Sequence, residues 1–65
     1  MRKNTRLKKA RAGQGFTQRQ LAEAIDMPYM TYVQKENGVY DFRELEIETI
    51  CKVLNKKVTD IFFAK

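Results

Sequence analysis

Residues 16–38 read FTQRQLAEAIDMPYMTYVQKENG. Thr17 followed three residues later by Gln20 is a capping box: the threonine oxygen satisfies a free N–H of the first helical turn, and the glutamine returns a bond to the threonine N–H. Leu21, Ala22 and Ile25 then recur at i, i+1 and i+4, which predicts a helix with these three side chains toward the core. Only Asp26 and Met27 separate this helix from Pro28, a residue suited to a first helical turn because its missing N–H would be unpaired there. The next helix is predicted over about Pro28 to Glu36. Asn37-Gly38 closes it by supplying left-handed backbone.

The flanks continue the same punctuation. Asn4 or Thr5 is a good N-cap for a helix running to Ala12, which stops at Gly13-Gln14-Gly15. Asp41-Phe42-Arg43-Glu44 is a candidate capping box for a fourth helix, on which Ile47, Ile50, Cys51 and Leu54 form an i, i+3, i+4, i+7 stripe. Asn55 ends it. A short last helix, about Val58 to Phe63, turns Val58, Ile61 and Phe62 inward, with Thr59 and Asp60 outward. The pattern predicts an all-α single domain of five short helices, spanning 1–65 with a core over about 6–62.

Composition narrows the chemistry. The chain has 65 residues with 43% hydrophobic content, and at about this size a domain buries only roughly 60% of its unfolded surface, so a partner or second copy would help. Cys51 is the single cysteine, which removes a disulfide framework and a cysteine-based metal site and fits a reducing cytosol. Its place in the fourth-helix stripe predicts core packing. Histidine is absent and so is serine, so the commonest general base and the serine nucleophile are missing and no enzyme or cofactor is expected. No apolar stretch approaches the roughly 18 residues of a membrane span, and the basic N-terminus has no apolar region behind it.

Net charge is +5, but it is unevenly placed. Arg2, Lys3, Arg6, Lys8, Lys9, Arg11 and Arg19 all fall in residues 1–20, where no acid occurs. Such an end suits a polyanion, nucleic acid or a membrane surface; the plainer alternative is a charged helix that aids solubility.

Two short helices joined by a tight turn make a helix-turn-helix. Arg11, Phe16-Thr17-Gln18, Leu21-Ala22, Thr31, Glu36-Asn37-Gly38 and the closing Asp60-Ile61-Phe62 resemble the pattern of the Cro/CI-type, lambda-repressor-like helix-turn-helix proteins. The resemblance covers about residues 6–62. It implies a five-helix DNA-binding domain whose third helix lies in the major groove while the second crosses the backbone. By the same resemblance Gln18 contacts a phosphate; Thr17, Asn37 and Arg43 are further candidates for positioning the domain on phosphates. Arg11 and Glu36 match a buried ion pair that ties the first helix to the end of the third. Arg2, Lys3 and Arg6 are candidates for a basic arm along the duplex, with a plain solvated end as the alternative.

Periodicity and resemblance disagree about the third helix. At about 100° per residue Tyr29, Met30, Val33 and Gln34 share an arc, and hydrophobicity alone would bury its three apolar members. The resemblance turns Tyr32 inward instead and makes Tyr29, Met30, Val33 and Gln34 the base-reading residues. Turning the helix the other way would part Glu36 from Arg11, so the resemblance is preferred. The chain departs from the family pattern at three places. Lys35 stands at a usually apolar position, where its stem would pack and its ammonium snorkel outward. Asp26 replaces a turn glycine, which Asp tolerates. Val39-Tyr40-Asp41-Phe42 replaces a basic loop, leaving Arg43 as the nearest phosphate contact.

The expectation is a sequence-specific regulator of double-stranded DNA, repressor-type and Cro-like, cytoplasmic and of prokaryotic or phage origin. It would act as a homodimer, with Phe63 a candidate interface residue, and without metal, membrane or small-molecule ligand. The rival is a protein-interaction module, an antitoxin or adaptor, docking through the apolar face of the third helix.

Overall fold

A computed structural model describes residues 4–62 of the chain. Five helices follow one another: α1 Thr5–Gly13, α2 Gln18–Ala24, α3 Tyr29–Glu36, α4 Glu44–Leu54 and α5 Val58–Ile61. The described residues contain no strand, and the fold is the expected all-α, lambda-repressor-like class.

Local chemistry explains where the first four helices stop. Gly15 (φ 82°), Asp26 (φ 56°), Gly38 (φ 83°) and Asn55 (φ 54°) each place one residue in the left-handed region. At every one of these ends two N–H groups fold back onto helical carbonyls. Gly15 and Phe16 donate to Ala12 and Arg11, Asp26 and Met27 to Glu23 and Ala22, Gly38 and Val39 to Lys35 and Gln34, and Asn55 and Lys56 to Lys52 and Cys51. This is the paired closure of a Schellman motif, which satisfies carbonyls a helix end would otherwise orphan. Both short links of the α1–α2–α3 unit are thus set by sharp, hydrogen-bonded corners.

The helix starts differ from the sequence reading in three places. Thr17 forms its capping box with Gln20 as expected, with bonds of 3.0 and 2.9 Å. Pro28, however, is the N-cap of α3 rather than a first-turn residue: its ψ of 140° is extended, and its carbonyl already accepts the Tyr32 N–H at 3.0 Å. The α4 cap lies two residues later than Asp41. Helix α4 opens at Glu44, and the Glu46 carboxylate accepts the Arg43 N–H at 2.8 Å. Phe42 packs against the core and sets this register. Asn4 precedes α1 without capping it by its side chain. Its Nδ2 donates instead to the Lys35 carbonyl at 3.1 Å and its N–H to the Glu36 carbonyl at 2.9 Å, so it closes the far end of α3. Asn37 is right-handed (φ −81°), leaving Gly38 as the turn residue.

Every helix contributes to one core: Leu7 from α1, Leu21 and Ala22 from α2, Tyr32 from α3, Ile50, Cys51 and Leu54 from α4, and Ile61 from α5, with Met27 from the α2–α3 turn. Ile25, Ile47, Val58 and Phe62 pack at its margin, as does Phe16. Phe42 joins Tyr32 (centroids 5.9 Å apart) to Phe62 (5.7 Å) in tilted and edge-to-face contacts, geometries that aromatic quadrupoles favour. Cys51 is core, as read from the stripe, and burial together with nearby Asp60 raises its thiol pKa. Phe63 lies outside the described residues.

The two glycines after α1 make a paired test. Gly13 is helical, and a Cβ there meets nothing within 4 Å, so Gly13→Ala should stabilise by about 0.5–1 kcal/mol. Gly15 has the same open space but a φ of 82°, so Gly15→Ala should destabilise. Thermal melts of the two variants should move in opposite directions, at roughly 4–8 °C per kcal/mol for a domain of this size.

Candidate nucleic-acid interface

The site is organised around the buried carboxylate of Glu36, the last residue of α3. Arg11 of α1 donates through Nε to Glu36 Oε2 at 2.8 Å, with a longer second contact from its other nitrogen at 3.4 Å. Tyr32, one turn back on α3, donates its hydroxyl to the same Oε2 at 2.5 Å, and Gln18 of α2 donates Nε2 to Oε1 at 2.9 Å. Arg11 also donates to the Phe16 carbonyl at 2.7 Å, fixing the segment that leads into α2. Three helices therefore meet on one carboxylate.

Burial alone would raise the Glu36 pKa. The hydrogen bonds from Arg11, Tyr32 and Gln18 outweigh it, so the carboxyl is held below its ordinary range. Tyr32 is pushed far above the usual phenol range by burial and by the adjacent carboxylate. Burial opposes the charge on Arg11, but the bonds to Glu36 prevail and its pKa rises.

This hub sets the rotation of α3. Tyr32 is fully buried, whereas Met30 is 62% exposed, Gln34 is exposed, and Tyr29 and Val33 are half-buried. Local hydrophobicity would have turned the helix the other way; the tetherings of Tyr32 and Glu36 prevent it. Lys35 is buried too, and its ammonium does not snorkel to water. Its Nζ lies 2.7 Å from Glu46 Oε1, the oxygen that also accepts the Arg43 N–H. Burial pushes Glu46 upward, but Lys35 and the Arg43 N–H outweigh that and hold it low. An ion pair therefore joins α3 to α4, and its carboxylate also caps α4.

The remaining expected phosphate residues lie as follows. Thr17 is exposed and its hydroxyl accepts the Gln20 N–H. Gln18 commits its carboxamide nitrogen to Glu36, which leaves its backbone N–H, a first-turn amide with no helical acceptor, for an outside group. Asn37, Arg43 and Arg6 are exposed. Arg2 and Lys3 lie outside the described residues. Arg19, which periodicity did not single out, is the addition: its guanidinium carbon sits 4.2 Å from the centroid of the Tyr29 ring, joining the first turn of α2 to the first residue of α3. Residues ten apart in sequence meet here only because the Asp26 corner folds one helix across the other.

Helices α2 and α3, packed through a tight corner inside a five-helix domain, define a helix-turn-helix protein. The helix-turn-helix family model matches residues 7–61, and the chain belongs to that family, the Cro/CI-type DNA-binding proteins. No curated protein and no solved structure matches the chain. The family is one of DNA-binding transcriptional regulators rather than enzymes, and this chain is a DNA-binding regulator of that general kind. Among the described residues no helix is long and apolar enough to cross a membrane.

Stability should form a plateau in pH. Glu36 and Glu46, held below the ordinary carboxyl value of 4.5, contribute stability that is present above it and lost as pH falls through their lowered values. Tyr32 and Cys51, raised above 10.0 and 9.0, contribute stability that is present below those values and lost as pH rises beyond them. Urea titrations across pH should show both flanks. Arg11→Met, which leaves Glu36 buried without its cation, should cost roughly 3–5 kcal/mol and lower the urea midpoint throughout the plateau.

Proposed function

We propose that the chain is a small Cro-like repressor that occupies a pseudo-palindromic operator as a two-fold dimer, with α3 in the major groove. One observation carries this reading: Tyr32 and Glu36 are tied into the core, so Met30, Val33 and Gln34 lie on the outward side of α3. An exposed methionine and a half-buried valine are poor choices for stability but suit thymine methyl groups, and glutamine can bond adenine through two hydrogen bonds. Tyr29 stands at the N-terminal edge of this arc. Thr17, the Gln18 N–H, Asn37 and Arg43 would position the domain on phosphates, with Arg6 and the basic end beyond it along the duplex.

A dimer is proposed because one short helix reads too few bases to define an operator, and half-sites should lie about one turn, ~34 Å, apart. The rival use of the surface, docking on a protein, draws on the 62% exposure of Met30. The charge of the N-terminal third favours DNA over an apolar partner.

Sequences selected from a random duplex library provide the test. Log K should fall with log salt by about 0.9 for each phosphate neutralised; a flat response would reject DNA in favour of the protein partner. Replacing a contacted thymine by uracil should weaken binding about fourfold, the equivalent of one buried methylene at ~0.8 kcal/mol. Val33→Ala should abolish that difference at one position only.

Sedimentation on the selected duplex should show two chains per site. One chain per site would reject the dimer while leaving DNA binding intact.

A further inference from the structure

The Arg19–Tyr29 contact is unused by the fold's own stabilising network. Arg19 is exposed, and the ion pairs among the described residues are Arg11–Glu36 and Lys35–Glu46, so no carboxylate among them holds it. What holds it is the face of a ring, 4.2 Å from the guanidinium carbon. A guanidinium lying flat on a ring keeps its N–H donors, which lie in its own plane, free for another partner. A cation resting on an aromatic platform gives up part of its rotamer freedom before any ligand arrives. Its donors suit a planar, two-point contact with phosphate oxygens.

Location selects the ligand. Arg19 belongs to the first turn of α2, and Tyr29 to the start of α3. With α3 in the groove and α2 across the backbone, the pair stands at the seam between bases and phosphates. Tyr29 is half-buried and one ring face is covered by Arg19, so its ring is less free to cover a base than the side chain of Met30 beside it.

We propose that Arg19 is a backbone-phosphate contact of this protein and that Tyr29 is its positioning residue, a platform for the guanidinium rather than a reader of bases. The assignment rests on the DNA-binding reading above and adds two roles to it. Sequence preference then resides in Met30, Val33 and Gln34, while Arg19 and Tyr29 together contribute affinity that is blind to sequence.

The test uses the full chain, a duplex selected from a random library and a scrambled duplex of equal length, each titrated at several salt concentrations. Arg19→Ala should weaken both duplexes by the same several-fold factor and reduce the salt slope by about 0.9, the value of one phosphate. Tyr29→Leu should reproduce most of the affinity loss and add little in the Arg19→Ala background, whereas Tyr29→Phe, which keeps the ring, should bind as the parent does. Should Tyr29→Leu melt too low to assay, Arg19→Ala and Tyr29→Phe decide. Unchanged affinity and slope in Arg19→Ala overturns the phosphate contact. A Tyr29→Phe or Tyr29→Leu variant that alters preference at a single base step, with the slope intact, overturns the platform role and returns Tyr29 to base reading. Failure of the parent chain to bind either duplex would instead reject the DNA reading on which both roles rest, so the two failures are distinguishable.

Discussion

Glu36 is where the helix-turn-helix unit is joined to the rest of the domain. Its carboxylate accepts hydrogen bonds from α1 through Arg11, from α2 through Gln18 and from within α3 through Tyr32. A buried carboxylate with one partner would be a liability, because desolvation costs several kcal/mol per ion and a single ion pair does not reliably offset it. With Arg11, Tyr32 and Gln18 all donating, both oxygens are satisfied, and no buried side-chain polar atom among the described residues lacks a partner. The network then acts as a directional clamp. Apolar packing alone tolerates rotation of a short helix; bonds from two other helices, through Arg11 and Gln18, to its last residue do not.

That clamp explains how an eight-residue helix can present apolar side chains to solvent. Isolated helices of this length are unstable in water, so α3 exists only through its tertiary attachments. Its C-terminal end is closed three times over: by Gly38 and Val39 folding back, by the side chain and N–H of Asn4 on the Lys35 and Glu36 carbonyls, and by Glu36 itself. Lys35 adds a fourth attachment, to Glu46 on α4. The exposed Met30 and Gln34 are thereby relieved of a packing duty and can be chosen for recognition.

The Lys35–Glu46 pair changes how α3 and α4 are joined. An apolar residue at position 35 would attach the helices by non-directional burial. The ion pair attaches them by a charged bond of 2.7 Å that shares its carboxylate with the α4 cap, so the start of α4 and the end of α3 are coupled. Acid weakens the two attachments at the C-terminal end of α3 together, since Glu36 and Glu46 are each held low by their partners.

Much of the fold was legible in the sequence because its signals are local. The Thr17–Gln20 box, the glycines, Asp26 and Asn55 at the corners, and the Ile47, Ile50, Cys51, Leu54 stripe each act within a few residues, and backbone sterics and capping chemistry depend on little else. The shifted start of α4 and the role of Pro28 were missed for the complementary reason: several residues near each boundary could serve as a cap, and packing of Phe42 and the Tyr32 N–H bond chose among them. The outward arc of α3 was not determined by its own hydrophobicity, which pointed the wrong way, but by partners 18 and 25 residues distant in the chain, Gln18 and Arg11. The pairings of Arg19 with Tyr29, Lys35 with Glu46, and Asn4 with the end of α3 belong to the tertiary structure alone. Each depends on the angle at which two helices cross, and that angle is a property of the assembled core rather than of any segment within it.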